Sequence, residues 1–390
     1  MKIEQVQKKT ENNLRYLESL EKTLVERWNV LNFEEVQKGM REDEDLVVLK
    51  GFCPLDECKD LKAKAKEEQW ALLIEDPHEG DQVPTYLRNP KWIELSKPVF
   101  SLVEILPGYK EFDVSMILLI FFSIFAGMLV GDAAYGMIYA CITLFAQIKL
   151  GKKVADKRPF YLLYVLTATM ILWGFLTGTF FGQQWLPETV QPLVPWLNDH
   201  ANIQLLCFTI AIIHLSIARL WSAASRFPST TALSDLGWLS ILWGMYFMAN
   251  YFVLNMALPP VTNFLLLVGA ILALIFMVPL KDAVKTVPKE IIPFFLSFIG
   301  AFTDIVSYIR LFAVGLATVA VADATNTMAA QAPIAGKVVI LFIGHSLNLI
   351  LAAMAILVHG IRLNVLEFSG HLHLEWTGFQ YAPFRNLKEA

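Results

Sequence analysis

Residues 302–326 read FTDIVSYIRLFAVGLATVAVADATN, and this stretch decides the fold. It sits in an apolar run from about 289 to 331, and a second run follows from about 334 to 368. As helices rising 1.5 Å per residue the two would be about 64 and 52 Å long, against a hydrocarbon core of about 30 Å. Each must therefore tilt strongly, break, or extend beyond the bilayer. Arg310 lies in the middle of the first run, with apolar or weakly polar residues on both sides. A guanidinium keeps its charge, and placing it at bilayer depth costs about 2.5–3.5 kcal/mol or more. Thr303, Ser307, Arg310, Val314 and Ala317 fall at helical spacing, a stripe of polar and small residues on one face. Ala313, Gly315 and Ala317 leave room for another helix to approach closely.

The second run repeats the pattern. His345, Asn348, Ala352, His359 and Arg362 share one stripe, and Glu367 lies five residues after Arg362. Two tilted helices, each with a polar stripe and a basic residue, describe the wall of an aqueous ion path. Structural roles stay open beside this one. Arg310 can instead pair with Asp304 or Asp132 and hold the bundle together, and Arg362, near one end, can snorkel to the interface. His345 and His359 read equally as bundle histidines or as a proton relay. Asp132 sits at a hairpin turn and reads as a helix cap. Asp323 is either a channel-mouth carboxylate or a solvated surface group.

Working outward, the 390 residues are 55% hydrophobic and 17% charged, with a formal net charge of −4. A soluble domain carries about 25% charged residues, and so small a net charge gives no support for nucleic-acid binding. Residues 1–100 hold most of the charge, so a soluble part precedes a membrane part. Apolar stretches at about 112–131, 133–148, 160–181, 201–225, 233–256 and 261–280 precede the two long runs. The fold class is therefore mainly α, with eight transmembrane helices spanning 112–370. Basic residues crowd alternate loops: KLGKKVADKRP after the second stretch carries five and KDAVKTVPKE after the sixth carries three, whereas 182–200 carries none. The positive-inside rule then places both termini in the cytoplasm. The first residues lack an apolar signal core, consistent with a cytoplasmic N-terminal part.

That part begins with a helical, coiled-coil-like arm over 1–44. One seam of its seven-residue repeat runs Ile3, Thr10, Leu17, Leu24, Leu31 and the other Val6, Asn13, Leu20, Arg27. The interrupted seam suits packing on partner helices. A small α/β unit over 45–76 follows, with a strand at 46–51, a helix at 55–68 and a second strand at 70–75 (WALLIE). Five prolines between 77 and 107 mark 77–111 as a linker, and 371–390 forms a C-terminal tail. No G-x-x-x-x-G-K-[ST] occurs, so no P-loop nucleotide site is expected. Cys53 and Cys58 have no second pair to complete a zinc site. Neither a cofactor nor catalysis on this chain is expected.

Several motifs now carry a resemblance. VPTYLRNPKW (83–92), FAGMLVGDAAYGMIYA (125–140), GFLTGTFFG (174–182), IIHLSIARL (212–220), SYIRLFAVGLA (307–317) and VHGIRLNVLEF (358–368) occur in order, the last two being the most specific. Over roughly 45–390 the sequence resembles the membrane subunit of V/A-type rotary ATPases, called subunit a or subunit I. The resemblance implies a stator whose two long tilted helices line two half-channels beside a ring of c-type proteolipid subunits. It implies that Arg310 is the essential arginine and Arg362 the second one, with His359 three residues before it. The remaining candidates along the ion path are Thr303, Asp304, Ser307, His345, Asn348 and Glu367. Implied partners are peripheral-stalk E/G-type subunits, a central-stalk d/C-type subunit and, through them, the A/B catalytic head, in a prokaryotic cell membrane. Two departures stand out. Such proteins carry a longer N-terminal coiled coil, and they often have His where Thr318 stands and, in eukaryotic forms, a carboxylate near Ala352. The transported ion, H+ or Na+, is left open. Two rival readings remain: a secondary transporter binding an anion at Arg310, which would show inverted repeats, and a non-conducting membrane anchor.

Overall fold

The computed structural model describes residues 2–43, 46–78, 80–154, 156–182, 194–277 and 283–384, and the chain divides into two units. The smaller unit combines Met1–Leu87, Leu106–Lys110 and Thr377–Ala390. Helix α1 (Lys2–Lys38) turns Leu20, Leu24 and Leu31 of its apolar seam to the surface. Strands β1 (Arg41–Asp43) and β2 (Leu46–Val48) pair antiparallel, and α2 (Cys58–Glu67) follows. This corrects the βαβ-like expectation: 70–75 forms no strand, and Trp70 and Leu73 are exposed. The first strand is satisfied by a neighbour close in sequence, which costs less loop entropy than pairing with a segment some twenty residues away. Thr85 bridges Gln380, with Thr85 N–H donating to the Phe379 carbonyl (2.8 Å) and Tyr381 N–H to the Thr85 carbonyl (3.0 Å).

The larger unit comprises Arg88–Ile105 and Glu111–Trp376. Part of the expected linker is structured here. A 3₁₀ turn (Ile93–Ser96) leads into α3 (Lys97–Val103), where Pro98 occupies the first turn and Val99 and Phe100 are buried. Lys97 donates to Glu94 at 2.6 Å, which holds that carboxyl below its ordinary range.

Eight apolar stretches form the body: α4 (Ser115–Val130), α5 (Ala133–Leu150), α6 (Arg158–Thr177), α7 (His200–Arg226), α8 (Ala232–Leu254), α9 (Val261–Phe276), the pair α10 (Ala283–Ser307) and α11 (Ile309–Gln331), and α12 (Ile334–Ala355) with its extension. Among the described residues six helical stretches are long and apolar enough to cross a membrane. Helices α4 and α9 are apolar but have 16 residues each.

Both long runs remain continuous apolar spans, of 41 residues (Ile291–Gln331) and 39 residues (Ile334–Leu372), and each departs locally from α-helical bonding. The first does so at Tyr308, where Tyr308 N–H bonds the Ile305 carbonyl and Leu311 N–H the Tyr308 carbonyl, at three-residue instead of four-residue spacing. The second continues from α12 through π-helical turns at Ile356–Gly360 and Leu363–Phe368 into α13 (Ser369–Leu372).

Close approaches knit the body. A Cβ at Gly315 on α11 would lie 2.4 Å from the Met128 carbonyl oxygen of α4, so glycine lets those backbones touch. Gly131 (φ +69°) ends α4, and Asp132 caps α5, accepting from Ala134 N–H (2.8 Å) and Tyr135 N–H (3.1 Å). Its other oxygen accepts from Gly182 N–H at 2.8 Å, which ties the hairpin to the chain beyond α6.

Candidate functional site

Arg310 occupies the first turn of α11, just past the break. One guanidinium nitrogen, Nη2, donates to Ser307 Oγ at 3.4 Å, and Nη1 is buried with no partner. Among the described residues no carboxylate lies within ion-pairing distance of it. The two carboxylates named as bundle partners are engaged elsewhere: Asp132 in capping, and Asp304 with His371 Nε2 at 3.0 Å. Thr303 is exposed and bonds the Ile299 carbonyl of its own helix, so it joins no group around Arg310.

The terminal π turns bring three further candidates to the same region. Glu367 is buried, and its Oε1 lies 3.6 Å from Arg362 Nε. On an α-helix residues five apart face different ways, whereas i→i+5 bonding stacks them, so the π geometry makes this pair possible. Glu367 Oε2 and His359 Nδ1 are buried without partners. Arg310 acts electrostatically on both His359 and Glu367. One region thus holds three side chains with unsatisfied buried polar atoms, a condition that most native interiors avoid.

His345 and Asn348 are not part of this region. They join a second network between α5, α11 and α12. Asn348 donates to the Thr318 carbonyl (2.8 Å) and to Tyr135 Oη (3.0 Å). Tyr135 Oη lies 2.6 Å from His345 Nδ1, and His345 Nε2 lies 3.2 Å from Asn326 Oδ1. Asn326 Nδ2 donates to the Phe181 carbonyl, so its oxygen faces the imidazole and His345 carries its proton on Nε2. Tyr139 donates to the Leu349 carbonyl nearby. Thr318 bonds the Val314 carbonyl, and Ala352 is buried. Asp323 is exposed. A cavity of 230 Å³, lined by Met128, Trp173, His200, Phe312, Gly315 and Val319 among others, follows α11 from Leu311 onward.

A third cluster was not anticipated from the sequence. Arg219 of α7 is buried and donates to His371 Nδ1 (3.0 Å) and Asp235 Oδ1 (3.4 Å), with its guanidinium 5.4 Å from the Trp238 ring centre. Asp235 also accepts from Ser222 (3.0 Å) and pairs with Arg226 (3.4 Å). Tyr135, Asn326, Tyr308 and His214 were missed too. Each is a polar side chain within an apolar helix, the same signal by which His345 and Asn348 were picked out. Among the described residues no group of three His, Cys, Asp or Glu side chains could hold a metal ion.

No protein-family model matches the chain. It is 35% identical over 402 residues to V-type ATP synthase subunit I of Borreliella burgdorferi, a match covering 96% of this chain and 66% of that protein. It is 33% identical to V-type ATP synthase subunit I 1 of Treponema pallidum (86% and 57% covered) and 25% identical to A-type ATP synthase subunit I of Methanocaldococcus jannaschii (81% and 51%). The chain spans about half to two thirds of the length of these relatives. With apolar helices long enough to cross a membrane and this similarity along nearly its whole length, the chain belongs to the family of V-type and A-type ATP synthase subunit I.

Proposed function

We propose that this chain is the membrane stator of a rotary ATPase, carrying H+ or Na+ between two half-channels by way of the carboxylates of a rotating ring. The observation that carries the reading is Arg310: a permanent cation in an apolar helix that, among the described residues, forms no ion pair and keeps one buried guanidinium nitrogen without a partner. Leaving such a charge buried costs several kcal/mol, so a partner from outside the chain is called for. A carboxylate passing on a ring subunit meets that need. At about 4 Å and an effective dielectric constant near 20 the attraction is about 4 kcal/mol. That equals about three units of carboxylate pKa, enough to force an ion-loaded acid to release its cargo beside the guanidinium. The same fixed charge blocks direct leakage between the half-channels.

In this reading Glu367, His359 and Arg362 line the cytoplasmic half-channel. The cavity along α11 and the network of His345, Asn348 and Tyr135 belong to the outer one. All eight apolar stretches cross the membrane, α4 and α9 by locally thinning the bilayer around their roughly 24 Å length. Both termini lie in the cytoplasm. The exposed seam of α1 meets helices of the peripheral stalk, which holds the stator against torque, and the central stalk and catalytic head complete the machine. The small exposed residues of α11, Ala313 and Ala317, form the surface past which the ring slides.

The test is a cross-link. With Ala317→Cys paired to a cysteine at mid-membrane depth on the ring subunit, oxidation is expected to join the two chains and stop ATP-driven ion uptake, and a reductant to restore it. Absence of any cross-link from α11 to the ring, under conditions that join other helix pairs in the complex, overturns the assignment.

A further inference from the structure

The break before Arg310 lacks the usual causes. Residues 302–314 contain neither proline nor glycine, the residues at which helix bonding is most often interrupted, and Tyr308 itself keeps helical dihedrals (φ −71°, ψ −15°) while the bonding tightens to three-residue spacing. What is special about Tyr308 is its surroundings. It is wholly buried, and its hydroxyl lies 2.7 Å from Nδ1 of His214 on α7. Phe125 of α4 stands edge-on to its ring at 5.9 Å.

His214 is itself immobilised. Its ring is sandwiched between Phe121 of α4 (3.9 Å between centres, planes 20° apart) and Phe368 at the end of the second π turn (4.4 Å, 11°). It is fully buried, and Nε2 has no partner, so the bond to Tyr308 is its polar contact in the interior. Three elements of the unit therefore grip one imidazole, and that imidazole grips the residue at which α10 passes into α11. Arg310 lies two residues further on. One residue of slip along a helix turns a side chain by about 100°, so whatever fixes the break also fixes where the guanidinium points.

We infer that His214 and Tyr308 are positioning residues for ion translocation: their buried hydrogen bond locks the α10–α11 break and thereby aims Arg310. The inference rests on the stator reading above. Phe368, which closes one side of the imidazole clamp, is the chain neighbour of Glu367 and so links the π-helical end of the last long helix to this junction.

The experiment measures ions taken up per ATP hydrolysed by the assembled complex in sealed vesicles, with Arg310→Gln in parallel. Tyr308→Phe keeps ring and volume and removes the hydroxyl, and His214→Leu removes the partner. Each is expected to lower the ratio at least threefold while assembly and ATP hydrolysis persist. The double variant is expected to be no worse than the poorer single one, because both remove one bond. A packing role alone would change assembly or heat stability and leave the ratio of surviving complexes intact. If Tyr308→Phe fails to assemble, His214→Gln takes its place with the same readout. A wild-type ratio in either single variant, or multiplicative losses in the double, overturns the inference while Arg310→Gln remains inactive. A pumping Arg310→Gln complex would instead overturn the stator reading.

Discussion

Two arginines sunk in the membrane unit are treated in opposite ways. Arg219 is buried among Asp235, His371 and the Trp238 ring, and Asp235 in turn is held by Ser222 and Arg226. Arg310 has a single long contact to Ser307 and a buried nitrogen with no partner. By the cost of burying charge the first is a finished structural element, whereas the second has, among the described residues, no ion pair to offset that cost. The comparison teaches that intramembrane charge alone does not mark a functional site. Satisfaction within the chain separates the two cases, and only the structure reveals it.

The comparison breaks most visibly if the paired arginine is stripped of its partner. Asp235→Leu leaves Arg219 in an apolar setting and is expected to destabilise the protein by about 3–5 kcal/mol, seen as a lower thermal midpoint in detergent. Adding Arg219→Met to Asp235→Leu is expected to recover most of that loss, since a buried pair replaced by apolar groups is often neutral. Failure of the double variant to recover would show that the cluster does more than pay its own desolvation. Next in size is Asn348→Leu, which leaves the Thr318 carbonyl and Tyr135 with lost donors and is expected to cost about 1–3 kcal/mol. The smallest expected effect sharpens the contrast. Arg310→Met is expected to leave thermal stability within about 1 kcal/mol of the parent or to raise it, because no internal partner is abandoned. A large loss there would reveal a structural role for Arg310.

Much of the helical architecture was legible because apolar length is a property of sequence alone. The eight stretches fell where helices form, and Asp132 was recognised as a cap from its place between two helices. The stripes were less legible. A stripe assumes one uninterrupted helix, and Tyr308 breaks the first run while π turns rephase the end of the second. That is why Glu367, out of phase on an ideal α-helix, reaches Arg362. His345 and Asn348 were picked out as polar, but their partners Tyr135 and Asn326 sit on other helices, and packing between helices is not written in the period of either one. The strand expected at 70–75 failed for a related reason: a β pattern needs a neighbour with free backbone groups, and β1 is nearer to β2.

The central claim is tested most directly by ion uptake in vesicles carrying the assembled complex, with Arg310→Gln set beside the Arg219→Met/Asp235→Leu variant. The account predicts that Arg310→Gln abolishes ATP-driven uptake of H+ or Na+ although the complex assembles, and that the paired replacement still pumps. Uptake at the parental rate by Arg310→Gln would contradict it.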